Sequence, residues 1–437
     1  KGRKIELSLD PAQYHVDAQA MAEGGGADVY SSFNVLLRRK PKENNFKAIL
    51  DCLRDLMTTP LVVPEWLLDV LLGYGDPAAA AYWSLPKDEQ VTEYDFFDTF
   101  LDVSHVRDAF PHAVVKVADG ADAAAPPPYR LTIPTDLPPV YRAGDGGGDA
   151  PKPEVVVTPY SALTAGPYPE DAPKMNPIRF TPMQVESLRS AMSKGLTVVV
   201  GPPGTGKTDT AVQAVSNIAH TFPKQRTLVI THSNTALNDV FEKLMIRDID
   251  ERYLLRLGRG EELLETEKDF SRAGRVNHML KRRLELLVRV ETLAKTLEVD
   301  ADVGYTCETA QYFYLSSVLA KWEQYQAALK KKGAQDAKDV ALLFPFADFF
   351  ADAPPPLFGG TDYAADAAAA AGCFRHIQKI FDELDECRAF ELLRSGYDRG
   401  NFLLTKHARV IAMTCTHAAI KRRDLLALGF QYDNLVI

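Results

Sequence analysis

The plainest chemistry in the chain sits in the run Gly201-Pro202-Pro203-Gly204-Thr205-Gly206-Lys207-Thr208, which satisfies the pattern Gly-x-x-x-x-Gly-Lys-Ser/Thr. Glycines allow the backbone to curl until successive amides point inward at phosphate oxygens, and a following helix adds the positive end of its dipole. A side chain at Gly206 would obstruct that approach. Lys207 is then the cation for the β- and γ-phosphates, and the Thr208 hydroxyl completes the shell of a Mg²⁺ ion, so that ATP with Mg²⁺ is the expected cofactor. Thr197-Val198-Val199-Val200 is expected to form a buried strand immediately before the loop. The alternative is a glycine-rich turn with an exposed lysine, and a strand leading into the loop argues against it.

Upstream, Phe180-Thr181-Pro182-Met183-Gln184 precedes an amphipathic stretch. The Gln184 amide can both donate to and accept from an adenine edge, although a helix N-terminus alone would also explain the pattern. Downstream, Thr231-His232-Ser233-Asn234-Thr235-Ala236-Leu237-Asn238 and Thr414-Cys415-Thr416-His417 each follow an apolar, strand-like run. Strand ends of this kind form the ligand crevice of parallel sheets, and small hydroxyl and amide side chains there suit a sugar-phosphate backbone. Helix capping by Ser233 or Asn234 is the plainer reading, and both can hold together. Cys415 with His417, and Cys373 with His376, are too isolated for a metal site. Lys281-Arg282-Arg283 reads either as a nucleic-acid contact or as a solvated helix face.

These residues need elements to hold them. From Phe180 onward strand-like and helical segments alternate: Thr197–Val200, a helix after Lys207, Arg226–Ile230, a helix through Leu244, and later Arg409–Met413. That order predicts an α/β fold of the RecA type with a parallel sheet. Residues 261–400, with the helical run Met279–Leu297, interrupt it as an inserted helical domain, and residues 401–437 continue the motor domain begun at 166–260. Short apolar runs at Ala113–Val117, Tyr129–Ile133 and Glu154–Val157 predict a small β-domain at 85–165, its long loops, 118–128 and 142–153, expected to be mobile. Residues 1–84 read as an N-terminal segment and helical stalk, with helical spacing from Tyr30 to Leu72 and a short helix at Val63–Leu72.

Composition narrows the function classes. With 437 residues, 46% of them apolar and 25% charged, the chain has the make-up of a globular protein of several domains. Lys and Arg number 50 against 59 Asp and Glu, a net charge of -9, so any polyanion must be held locally rather than by overall attraction. Five unpaired-looking cysteines point to reduced thiols, and no uncharged run approaches the roughly 18 residues of a membrane span. The opening alternation Ile5, Leu7, Leu9 implies that more protein precedes Lys1.

With those motifs in view the sequence resembles the superfamily 1 RNA helicases, and among them an intron-binding helicase of the spliceosome. Besides the phosphate loop with Asp209, the likeness rests on Arg38–Lys47, Leu254–Gly258 and Glu265–Arg272, and it runs from about Tyr30 to Ile437, weakest in the two loops. The resemblance implies that Gln184 contacts adenine, that Gly204, Thr205, Gly206, Lys207 and Thr208 bind phosphates and Mg²⁺, and that Ser233, Asn234 and Thr416 lie along single-stranded RNA. It makes 85–165 a small β-barrel and 261–400 a helical insertion, both mounted on the first motor domain.

The activity so implied is ATP-driven RNA translocation in the nucleus with spliceosomal protein partners. The competing reading is a nucleotide-fold scaffold that binds splicing proteins without hydrolysis, and a third is a phosphate-loop kinase for a small metabolite. Tyr432–Ile437 resembles the strand leading into the acidic motif that holds Mg²⁺, so this chain alone is expected to bind nucleotide poorly and hydrolyse almost none.

Overall fold

A computed structural model describes residues 10–23, 30, 46–58, 65–76, 80–118, 124–140, 152–160, 166–300, 302–331, 336–354 and 356–437. The chain divides into two units, Lys1–Leu50 and Asp51–Ile437. In the first, α1 (Pro11–Ala22) starts at Asp10, whose carboxylate accepts from the Ala12 amide, with a proline in the first turn where a missing N–H costs nothing. The expected opening strand, the spacing from Phe33 to Leu37, the Arg38–Lys47 stretch up to Asn45 and the two long loops, at 119–123 and 141–151, lie outside the described residues.

After α2 (Phe46–Thr58) and α3 (Glu65–Leu72) the chain enters a four-stranded mixed sheet: β1 (Glu93–Phe97), β2 (Val114–Val117), β3 (Tyr129–Thr132) and β4 (Glu154–Pro159), in the order β1-β3-β4-β2. Three of these strands were expected. β1 was not, because its register shifts between Asp95 and Phe97 and breaks the period-two pattern. Tyr129 and Leu131 alternate with exposed neighbours and point into a core shared with Phe100 and Val106, the latter on α4 (Val103–Ala109). Val185 and Leu188 of α5 (Pro182–Ala191) close the same core, which ties the small sheet to the domain that follows.

The second sheet is parallel throughout, in the order β6-β7-β5-β8. Its elements are α6 (Lys207–Thr221), β5 (Thr227–Thr231), α7 (Asn234–Met245) and β6 (Leu254–Arg256), and after the insertion β7 (Val410–Thr414), α14 (Cys415–Ala427) and β8 (Asn434–Val436). Both faces are covered, as parallel strands require. The register pairs Thr231 with Thr414 and Arg256 with Ala412, so the ends of β5, β6 and β7 finish side by side.

One strand expectation fails. Residues 197–200 join no ladder, and Val198 and Val200 are 71% and 89% exposed. The run is anchored at its start, where the Leu196 amide donates to the Ala80 carbonyl and Thr197 shares a hydroxyl bond with Ser190. Beyond that it is unpaired: β5 already lies between β7 and β8, and no residue of 197–200 pairs with the outer edge of β8 or β6. Three valines give a strong β tendency, but pairing decides a strand.

The insertion is helical, as expected: α8 (Arg272–Thr296), α9 (Cys307–Phe313), α10 (Leu319–Lys331), α11 (Ala337–Leu343), α12 (Tyr363–Leu392) and α13 (Gly396–Phe402). Leu286, Val290 and Leu293 of α8 pack on Ile377, Phe381 and Leu384 of α12, and Trp322 stacks on Phe374 at 4.4 Å. This core runs without a break into Leu255 of β6 and Ile411 and Met413 of β7, so the insertion and the sheet stiffen one another.

Candidate functional site

The phosphate loop enters α6 without a cap. Gly206, the residue before the first helical turn, is left-handed with φ +74°, and no side chain caps the free amides of that turn. Gly204 is left-handed too, at φ +84°. A methyl group at Gly206 would fall 2.6 Å from Gln184 Nε2, a side-chain tip that can move aside, so it is the left-handed backbone that favours glycine here. The result is a helix of 15 residues whose positive end faces open space.

The loop's own side chains partly occupy it. Lys207 Nζ donates to the carbonyls of Gly201 at 2.6 Å and Pro202 at 2.8 Å, and the Thr205 hydroxyl donates to Pro202 at 2.9 Å. Gln184 serves the capping box of α5, its Oε1 accepting from the Thr181 amide, and its Nε2 reaches the Thr205 carbonyl at 3.1 Å. Thr208 is half-buried in the first helical turn. Around them opens a cleft of about 550 Å³, lined also by Tyr82, Met183, Val198 and Val200, which is the size of a nucleotide pocket. A triphosphate fits this donor set once Lys207 exchanges two carbonyls for phosphate oxygens, a trade of neutral acceptors for charged ones.

The far end of α6 is clamped. Gln213 Nε2 donates to Asp98 Oδ1 at 2.6 Å, Asn217 Nδ2 donates to the Thr99 hydroxyl at 2.9 Å, and the His220 ring stacks on Phe97 at 4.0 Å. Burial pushes the Asp98 carboxyl above its ordinary pKa, and the Gln213 bond pulls the other way. Beside the loop, Lys243 of α7 pairs with Asp209 at 3.0 Å.

A second polar cluster forms where β5, β6 and β7 end. Ser233 caps α7, accepting from the Ala236 amide at 3.1 Å, and Thr414 caps α14, accepting from the His417 amide at 3.2 Å. The capping reading therefore holds for Ser233. Asn234 is exposed at the mouth of the cluster, and Thr416 is half-buried in the first turn of α14. Beneath them lies Arg256, 0% exposed, whose guanidinium donates to Asn234 Oδ1 at 2.9 Å and to Asn238 Oδ1 at 3.2 Å. Burial lowers the pKa of Arg256, and also that of His417, which Lys421 and Arg256 depress further.

Three family models match the chain: an AAA domain at residues 179–437, the intron-binding protein aquarius insert domain at 89–172, and the intron-binding protein aquarius beta-barrel at 1–39. The chain is an AAA-domain protein of the aquarius family. Over its whole length it is 53% identical to the RNA helicase aquarius of Mus musculus and 24% identical to the pre-mRNA-splicing factor cwf11 of Schizosaccharomyces pombe. It covers 30% and 31% of those proteins, so it spans about a third of the relatives it matches. It is also 27% identical, over 36% of its length and 22% of the relative's, to the DNA polymerase alpha-associated DNA helicase A of Saccharomyces cerevisiae.

Within this AAA domain, sequence reasoning gathered the loop residues because they are contiguous, but it missed Arg256, Asn238 and the clamp on α6. Arg256 appeared only inside the Leu254–Gly258 likeness, with no role given to it. The aquarius insert-domain match falls on the four-stranded sheet, and the beta-barrel description falls on residues 1–39. The basic run is largely spent inside the insertion: Arg282 Nε meets Glu383 at 3.0 Å, Arg283 meets Glu391 at 2.5 Å, and Lys281 lies 3.8 Å from Glu285. That removes most of the reason to read Lys281–Arg283 as a nucleic-acid contact. Among the described residues no helix is long and apolar enough to cross a membrane.

Proposed function

We propose that the complete protein is an ATP-dependent RNA helicase or translocase of the spliceosome, working in the nucleus on intron RNA during pre-mRNA splicing. The observation that carries this reading is the uncapped, glycine-shaped start of α6, with Lys207 at the mouth of a cleft of about 550 Å³. In this reading Gly204, Thr205, Gly206 and Lys207 hold the phosphates, Thr208 offers its hydroxyl to Mg²⁺, and Gln184 lies at the side of the cleft where a base would stack. Bound ATP with Mg²⁺ supplies the phosphoryl transfer that drives movement. Ser233, Asn234 and Thr416 line the strand-end crevice for a single RNA strand, and the splicing role draws on the names of the two relatives that match along this whole chain.

A second reading, a scaffold that keeps the fold and binds splicing proteins without hydrolysis, draws on one feature. Lys207 is satisfied by the loop's own carbonyls, as it would be in a loop that never receives a ligand. The deciding measurement is ATP hydrolysis by the complete protein with and without single-stranded RNA, beside its Lys207→Ala variant. RNA-stimulated turnover that the variant loses supports the motor; no turnover with splicing function intact supports the scaffold. Turnover indifferent to RNA would favour a small-molecule kinase.

A further inference from the structure

Arg256 is an unusual residue to find at the bottom of a crevice. Its side chain is fully buried, yet it donates to neutral oxygens: Asn238 Oδ1, Asn234 Oδ1 and the Leu257 carbonyl. A guanidinium has only donors to offer, so each carboxamide must turn its oxygen inward. For Asn238 this consumes the whole group, since its Nδ2 donates to the Gly260 carbonyl at 2.8 Å. For Asn234 it does not. Its oxygen is held, and its amide nitrogen has no partner among the described residues, at an exposed position in the first turn of α7.

We infer that Arg256 is a positioning residue, which locks the Asn234 carboxamide with both N–H groups outward so that the crevice accepts a phosphate oxygen of RNA and rejects donor groups. The inference rests on the proposed RNA reading of this crevice and adds the reason for its polarity. Left free, an exposed asparagine amide flips readily and presents either face. Here the flip would set two donors against a guanidinium in a buried site. The fit is close: a methyl group at Gly260 would lie 2.5 Å from Asn234 Oδ1 and 2.7 Å from Arg256 Nη2, so that position has to be glycine for the lock to form. The Glu261 carboxylate interacts with the buried guanidinium and offsets part of its charge, so the preference for an oxygen ligand rests on the outward amide.

The test is equilibrium binding of a fluorescent single-stranded RNA to the complete protein across a range of salt concentrations, with three variants. Asn234→Ala removes the amide and is expected to weaken binding by about tenfold, the worth of a charge-assisted hydrogen bond. Asn234→Asp keeps an oxygen for Arg256 and replaces the outward donors by an acceptor; it is expected to bind RNA more weakly than Asn234→Ala while its melting temperature holds or rises. Arg256→Met is expected to lose affinity with the slope of log Kd against log salt unchanged, because Arg256 touches no phosphate; a direct contact would lower that slope by about one. Loss in Asn234→Ala with full binding in Asn234→Asp overturns the inference alone, as does a reduced slope in Arg256→Met. Full binding in Asn234→Ala removes the RNA reading of the crevice, and the inference with it. Should Arg256→Met fail to fold, the two Asn234 variants still decide.

Discussion

The phosphate loop and the strand-end crevice are built on opposite principles. The loop is one stretch of chain whose lead-in, residues 197–200, pairs with no strand, and whose lysine rests on its own carbonyls. The crevice draws on three strand ends and is bound together by one buried guanidinium. The first must rearrange to take a ligand; the second is set before a ligand arrives. A preformed site loses less ordering entropy when a ligand arrives, whereas a self-satisfied one must first give up its own hydrogen bonds.

That contrast can be broken at either end. The largest effect is expected from Lys207→Ala in the complete protein: ATP turnover should fall by about 10²–10³-fold, the usual worth of a phosphate-facing cation, while RNA affinity without nucleotide stays within about twofold. An equal fall in RNA affinity would mean that the two regions are one cooperative site. Next comes Gly206→Ala, which places a methyl group 2.6 Å from Gln184 Nε2 at a left-handed position. It should weaken nucleotide binding by about tenfold or more, read by a fluorescent ATP analogue, and lower stability by about 1 kcal/mol. RNA affinity serves as the control.

Asn238→Leu tests the crevice's preorganisation. It strips two bonds from Arg256 and leaves the Gly260 carbonyl unpaired, which should cost about 1–3 kcal/mol in chemical denaturation and leave nucleotide affinity untouched. The smallest effect is expected from His417. Its folded-state pKa lies below the ordinary 6.5, through burial and then Lys421 and Arg256, so its contribution to stability is present above that value and is lost as pH falls through the lowered pKa. The stability difference between the parent and His417→Gln should therefore be flat above pH ~7 and shift only on acidification below pH ~6.5. A slope on the alkaline side would contradict the burial of the ring.

The same contrast explains what could be read from the residues alone. The loop was legible because its signal is local: glycines at fixed offsets, then a lysine and a threonine. The parallel sheet was legible from alternating elements: β5 and β7 lie where the apolar runs predicted, and β8 where the family resemblance put a strand. What escaped depends on partners distant in sequence. Nothing local tells that Val198–Val200 joins neither open edge of the sheet, at β6 or at β8. Nothing near Arg282 and Arg283 announces Glu383 and Glu391, a hundred residues on, as their destinations. Arg256 sits on a three-residue strand, β6, too short to register as a periodic run, and it matters only because Asn234 and Asn238 come from another connection.

Helix α7 links the two regions. It carries Asn234 in its first turn and Lys243 in its last, and Lys243 grips Asp209, the neighbour of Thr208. Those nine residues of rise span about 14 Å. The helix is thus a strut of fixed length between the threonine that would meet the metal and the amide that would meet the strand. A shift of the first turn of α6 would be passed through the Lys243–Asp209 pair to the helix that carries Asn234, so the two regions share one rigid member.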